Sequence, residues 1–350
     1  MATPTFFSHE EIVAVISDVN PFQSFLLNFF GSEHLSNDEK INFDRLSKDE
    51  RIAVFVNPRR PGEVNKQRGF SVDSYKPGYI KDKDTIDFKH VIRRRAGQPF
   101  NAAVSPEQNY AAIVADLAAN QVTKIYRRLE LMAAQLLLNG TYDMVGKDLN
   151  VNVDFARDAA LTETLLTTNR WLDANTSVSP IEDIEKKLLA VSYPVKTLIV
   201  GAAAWRAIKR DPLFDKNVYV DLLTRGQSPL VVGPQGMSPD GLIYRGNLLS
   251  SGVDIYTYTN TYMDPDSGNE TLYIPTDAVI GVSDPSFGFQ CFAPIQDAAA
   301  NFMPMPYFTK NWMEEDPGIP YIMTQSAPLL AHTKINSTFA LRTGATITGA

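Results

Sequence analysis

Apolar residues recurring in steps of three and four mark residues 105–139 as one long helix. Tyr110, Ile113, Val114, Leu117, Gln121, Ile125, Leu129, Met132 and Leu136 fall on a single stripe. Ser105-Pro106-Glu107-Gln108 supplies an N-cap serine, a proline at the first helical position and a capping-box glutamine, and Asn139-Gly140 closes the run. At 1.5 Å per residue such a helix is a rod of roughly 50 Å, long enough to act as a spine for other elements. Strict alternation predicts strands elsewhere. Ile86, Phe88, His90 and Ile92 share one face of a strand over Thr85–Ile92, so His90 reads as a packed residue and not a ligand. With the apolar run Ile52–Val56, that strand would close a long hairpin whose interior is broken by Pro58, Pro61-Gly62, Gly69 and Pro77-Gly78.

Before the hairpin, Ile12–Ile16 and Phe22–Phe30 form an apolar, partly helical arm ending at Gly31, followed by a polar, turn-rich stretch to Glu50. After the spine come strands near Tyr142–Val145 and Leu149–Phe155. A capped helix opens at Ser179-Pro180-Ile181-Glu182, and the strand Thr197–Val200 turns at Gly201 into a short helix containing Trp205. A Gly/Pro-rich loop spans Ser228–Gly241. Strands follow at Leu242–Leu248, Val253–Tyr262, Thr271–Ile274, Ala278–Val282, Phe287–Phe292 and Tyr321–Leu330. The class is α+β, without internal repeats.

Charge changes this picture more than composition does. The chain carries a formal −7, yet residues 57–95 hold eleven Lys and Arg against five Asp and Glu, a local +6 that leaves −13 on the remainder. A basic segment on an acidic body suits contact with a neighbouring copy of the same molecule, or a solvated loop, and it argues against a dedicated DNA binder. Arg93-Arg94-Arg95 fits ion pairing within or between subunits better than DNA contact.

Chemistry is sparse. The four histidines are scattered singly and Cys291 is alone, which predicts no metal cluster and no internal disulfide. No nucleophile elbow, phosphate-binding glycine loop or helical histidine pair is present. Asp264–Glu270 reads as a hairpin turn and not as a calcium loop, and Val200-Gly201-Ala202 as close packing and not as a phosphate site. The first residues predict no signal peptide, and no apolar run is long enough to span a bilayer. Catalytic residues, cofactors and metals are therefore not expected.

Colinear clusters in the hairpin and near the C-terminus carry a family resemblance. Gly62-Glu63-Val64, Arg68-Gly69 and Pro77-Gly78-Tyr79-Ile80-Lys81 lie in the hairpin, with Arg93-Arg94 after it. Ile295-Gln296-Asp297-Ala298, Lys310-Asn311-Trp312 and Thr324-Gln325-Ser326-Ala327-Pro328-Leu329 lie near the C-terminus. Together they resemble the lambda-like major capsid (head) protein family of tailed bacteriophages. The resemblance implies a Hong Kong 97-like phage capsid fold with an N-terminal arm (1–50), an extended loop (51–95), a peripheral domain (96–160 and 285–335), an axial domain (161–284) and a C-terminal tail (336–350). It further implies a structural shell subunit of the virion, a homo-oligomer of pentamers and hexamers assembled in the host bacterial cytoplasm, with a scaffold, a portal and a decoration protein as partners. Such a shell would enclose double-stranded DNA without binding it specifically. On this reading Glu63, Lys66, Arg68, Lys76, Tyr79, Lys81, Ile86, Phe88, Arg93 and Arg94 are candidate inter-subunit contacts, with Ile86 and Phe88 burying an apolar face on a neighbour. An encapsulin-like cellular compartment shell of the same fold and an unassigned α+β enzyme are the competing readings.

Overall fold

The computed structural model describes residues 24–46, 70–92, 106–146, 149–172, 177–214, 218–219, 241–248, 251–265, 267–283, 288–314, 316 and 318–346. A 3-10 turn at Leu26–Phe30 leads into β1 (Ser32–Leu35) and β2 (Ile41–Leu46), and β3 (Phe70–Tyr75) and β4 (Ile80–Thr85) precede the short helix α1 (Phe88–Ile92). The long helix α2 (Pro106–Asn139) is followed by the hairpin of β5 (Thr141–Gly146) and β6 (Leu149–Asp154), then β7 (Thr162–Thr164). Next come α3 (Pro180–Ala190), β8 (Thr197–Val200), α4 (Ala202–Ile208) and β9 (Val218–Tyr219). β10 (Leu242–Leu248), β11 (Val253–Tyr258), β12 (Thr261–Met263), β13 (Glu270–Leu272) and β14 (Ala278–Val282) continue the chain. The last strands are β15 (Gly288–Phe292), β16 (Phe308–Met313), β17 (Pro320–Ser326), β18 (Pro328–His332) and β19 (Thr338–Arg342).

Helix α2, 34 residues long, is the spine the apolar stripe predicts. Val114, Ile125, Leu129, Met132 and Leu136 are buried, Leu117 is half-buried, and Gly140 ends the helix at φ +76 with its N–H on the Leu136 carbonyl. Two layers share this rod. Its N-terminal half packs Val114, Ala118, Ala119 and Val122 against Ile322 of a three-stranded sheet, β16-β17-β4, and against Ile86 just past the end of β4. Its C-terminal half packs Leu129, Met132 and Leu136 in one core with Leu329 and Leu330 of the sheet β1-β15-β18 and with Ile199, Ile280 and Ala340 of a seven-stranded sheet.

That larger sheet runs β7-β19-β14-β8-β11-β10-β9 and is mixed, β8 lying parallel to β11 and antiparallel to β14. Its central strands are apolar throughout because both faces are covered. Ile199, Ile280 and Ala340 join the core of α2. Leu198, Val200, Val279, Phe339 and Leu341 join a second core with Ile181, Ile184 and Trp205 of α3 and α4. Gly281 lies under the Phe339 ring, where any Cβ would overlap it.

Several expectations need correction. Residues 85–92 are not one strand. β4 ends at Thr85, and the Asp87 side chain accepts the Lys89 N–H at 2.9 Å, starting α1 in place of a continued ladder. The polar stretch after Gly31, expected to be turns, contains β1 and β2, and β2 pairs antiparallel with β3. The expected strand Tyr321–Leu330 is two strands in different sheets, parted at Ala327 and resumed at Pro328, whose missing N–H is tolerated at a strand start. Residues 338–342, assigned to a tail, form β19 inside the seven-stranded sheet. The 52–56 segment, Ser105 and the arm before residue 24 lie outside the described residues.

Candidate functional site

The root of the expected extended loop is built on β4, whose sequence Ile-Lys-Asp-Lys-Asp-Thr alternates in charge. Period two sends the acids to one face. Asp84 accepts from the buried Gln121 of α2 at 2.8 Å, and Asp82 pairs with Lys124 one turn away at 2.7 Å. Gln121 in turn accepts from Thr324 of β17 at 2.7 Å, and Thr324 shares a 2.9 Å hydrogen bond with Thr309 of β16. The polar position inside the apolar stripe thus fastens the spine to all three strands of the small sheet.

The opposite face of β4 carries the lysines. Lys81 lies 5.1 Å from the Tyr79 ring centroid, and Lys83 lies 3.7 Å from that of Tyr321, which stacks on Trp312 at 5.6 Å. The acids of this segment are turned inward and paired, so its outer face is more basic than its composition. Tyr79 donates to the Gln325 side-chain oxygen at 2.8 Å and accepts the Gln296 N–H at 3.0 Å, tying together two of the C-terminal clusters read from sequence. Burial raises its phenol above the usual range.

Lys76 meets Glu39 of its own chain at 2.6 Å, both exposed, and the lysine holds the Glu39 carboxyl below its ordinary range. Ile86 is 2% exposed under the spine, so it packs within the subunit and is not available to cover a neighbour. Glu63, Lys66, Arg68, Arg93 and Arg94, together with the Phe88 side chain, lie outside the described residues. Asp264 accepts from the Ser267 hydroxyl at 2.6 Å and its carbonyl from the Gly268 N–H, the hydrogen bonding of a hairpin turn between β12 and β13.

The polar group that sequence reasoning missed is Glu130. It has no solvent exposure, yet its carboxylate gathers four donors: the N–H groups of Phe25 (3.1 Å), Leu26 (2.8 Å) and Leu27 (2.9 Å), and the Tyr258 hydroxyl (2.8 Å). Burial pushes its pKa up while these donors pull it back, and the net direction is upward. The available signal was a lone acid between Leu129 and Leu131 on the buried arc of α2, a position that demands donors from elsewhere. At the far end of α2, Arg157 donates to the Leu137 and Leu138 carbonyls at 2.7 and 2.6 Å, supplying a cationic C-cap.

A family model described as phage major capsid protein E matches residues 8–343. The major capsid protein of Enterobacteria phage P21 is 25% identical over 312 residues, covering 87% of this chain and 90% of that protein. The major capsid protein of Escherichia phage lambda is 24% identical over 312 residues, covering 87% and 89%. The solved putative capsid protein of a prophage from E. coli CFT073 superposes with a TM-score of 0.74 at 20% identity, covering 97% of this chain and 99% of that one. The capsid of Ralstonia phage GP4 gives 0.55 at 12% identity, covering 94% and 93%. The α+β architecture is accordingly that of the Hong Kong 97-like capsid proteins.

Proposed function

The chain belongs to the phage major capsid protein E family, a shell subunit of a tailed-phage head, and from that premise we propose how its parts build the shell. Its role in the virion is structural and not enzymatic. The observation that carries this reading is a family match running through the arm, spine and closing strands alike. It separates the chain from a cellular compartment shell, which was expected to share only the fold.

In the proposed assembly, 161–284 forms an axial domain whose copies meet around five- and six-fold axes, giving pentamers and hexamers. The spine, β5 and β6 form a peripheral domain with the elements between 285 and 335. The extended loop, assigned to 51–95, reaches a neighbouring subunit through the part that carries Glu63, Lys66 and Arg68, and there Lys66, Arg68 and the outward Lys81 meet acidic groups. Arg93 and Arg94 make further ion pairs at the root. The stretch 57–69, with Val64 its one large apolar residue, orders by lying on a partner and not by folding on itself. Scaffold and portal direct closure, a small decoration protein reinforces the finished shell, and DNA is enclosed without specific recognition.

Expression with scaffold and portal should yield closed, head-sized particles in negative-stain micrographs. A stable monomer across a wide range of concentration and salt, despite those partners, would refute the assembly reading.

A further inference from the structure

The segment just before β1 is held at two separate places. At 32–35, β1 pairs parallel to β15, and the Gln290 side chain donates to the Phe30 carbonyl at 2.9 Å. At 25–27 there is no strand partner, and the polar fastening is the Glu130 carboxylate. Around that carboxylate, the Phe25 ring lies 5.8 Å from both Tyr256 and Tyr258, while Leu26, Leu27 and Phe30 are buried. Every partner of Glu130 is a donor, so the site is matched to an acceptor-only group. A buried carboxylate is costly unless paired in this way, and the chain keeps one in the middle of its longest helix.

We propose that Glu130 is a positioning residue for shell assembly. Its carboxylate seats residues 25–27 against the spine and β11, and thereby fixes where the preceding arm leaves the body. The proposal rests on the shell-subunit reading, since a fixed exit matters only if the arm must meet a neighbour. The β1 pairing is independent of Glu130, so losing the seat frees the first turn without undoing the sheets. An amide substitutes only in part. One carboxylate oxygen accepts from Phe25, Leu26 and Tyr258 and the other from Leu27. Gln has the same shape and can keep the first three, but its NH2 then points a donor at the Leu27 N–H; spine packing survives while the seat is weakened at Leu27.

The test is Glu130→Gln in the full chain, read by hydrogen exchange on the unassembled subunit and by particle yield with scaffold and portal. The Leu27 amide should exchange about tenfold faster or more, while α2 and the seven-stranded sheet keep wild-type protection and particle yield falls. Tyr258→Phe, which removes one donor from the Glu130 carboxylate and leaves the ring in place, should also speed exchange at the seat and lower particle yield. Wild-type exchange at Leu27 in Glu130→Gln, or normal particle yield in either variant, would overturn the proposal. So would general unfolding of Glu130→Gln alongside a Tyr258→Phe subunit that assembles normally, which would assign the carboxylate to the body's own stability. Failure of the wild-type chain to form particles would instead strike the assembly reading, while the exchange measurement would still report on the seat.

Discussion

His332 is 5% exposed, edge-on to the Phe30 ring at 6.1 Å, and accepts the Lys334 N–H at Nδ1 at 3.3 Å. Burial, with the Arg157 charge as a smaller contribution, lowers its pKa from 6.5 to about 4. Between those values the unfolded chain binds a proton that the folded chain refuses. The stability contributed by neutral His332 is therefore fully present above about pH 6.5 and is lost as pH falls toward 4, on the order of 3 kcal/mol in all. Glu130 acts with the opposite sign, because a raised carboxyl takes up its proton first in the folded state and so favours folding as pH drops. The histidine's share must be read as a difference between proteins. Urea unfolding of the wild type and of His332→Gln at pH 7 and pH 4.5 should show a smaller loss in the variant. An equal loss would place the acid sensitivity elsewhere. Neither residue was legible as anything but a packed or solvated side chain, because what sets each one's chemistry is a partner about a hundred or more residues away in sequence.

The spine, by contrast, declares itself locally. Its stripe, N-terminal proline and closing glycine are all written within 36 residues, and the structure returns the helix with Leu129 at 1% exposure. The same stripe overstates Leu117, which is only half-buried beside the core under the small sheet. Leu129→Ala should therefore cost roughly 2–5 kcal/mol, and Leu117→Ala clearly less, by urea unfolding of the full chain. Equal costs would mean that both ends of the helix are covered alike. Strands were read less well, for a physical reason. β19 is a five-residue run whose partners, β14 and β7, are remote in sequence. The alternation over 85–92 continued past the point where Asp87 captures the Lys89 amide and converts strand to helix. Period alone registers side-chain direction and not where the backbone hydrogen bonds go.

Across the whole molecule the decisive quantity is how charge is distributed, and here the structure sharpens the sequence. The +6 of residues 57–95 was a sum over both faces. In β4 the acids Asp82 and Asp84 are turned onto the spine and paired, while Lys81 and Lys83 face outward. Lys76 is engaged with Glu39 of its own chain, so it is a poor candidate for guiding a neighbour. Among the charges that remain for inter-subunit steering are Lys66 and Arg68 on the loop and Lys81 at its root. Exposed ion pairs contribute little one at a time, but a reversal is repeated at every equivalent contact of a closed shell. Changing Lys66, Arg68 and Lys81 together to Glu should leave the subunit folded with an unchanged urea midpoint. Particle yield with scaffold and portal should fall, most severely at low ionic strength, where screening between loop and neighbour is weakest. Lys76→Glu alone should disturb the Glu39 contact and leave assembly near normal. Normal particle yield from the triple variant at low salt would show that the basic loop does not guide assembly by charge.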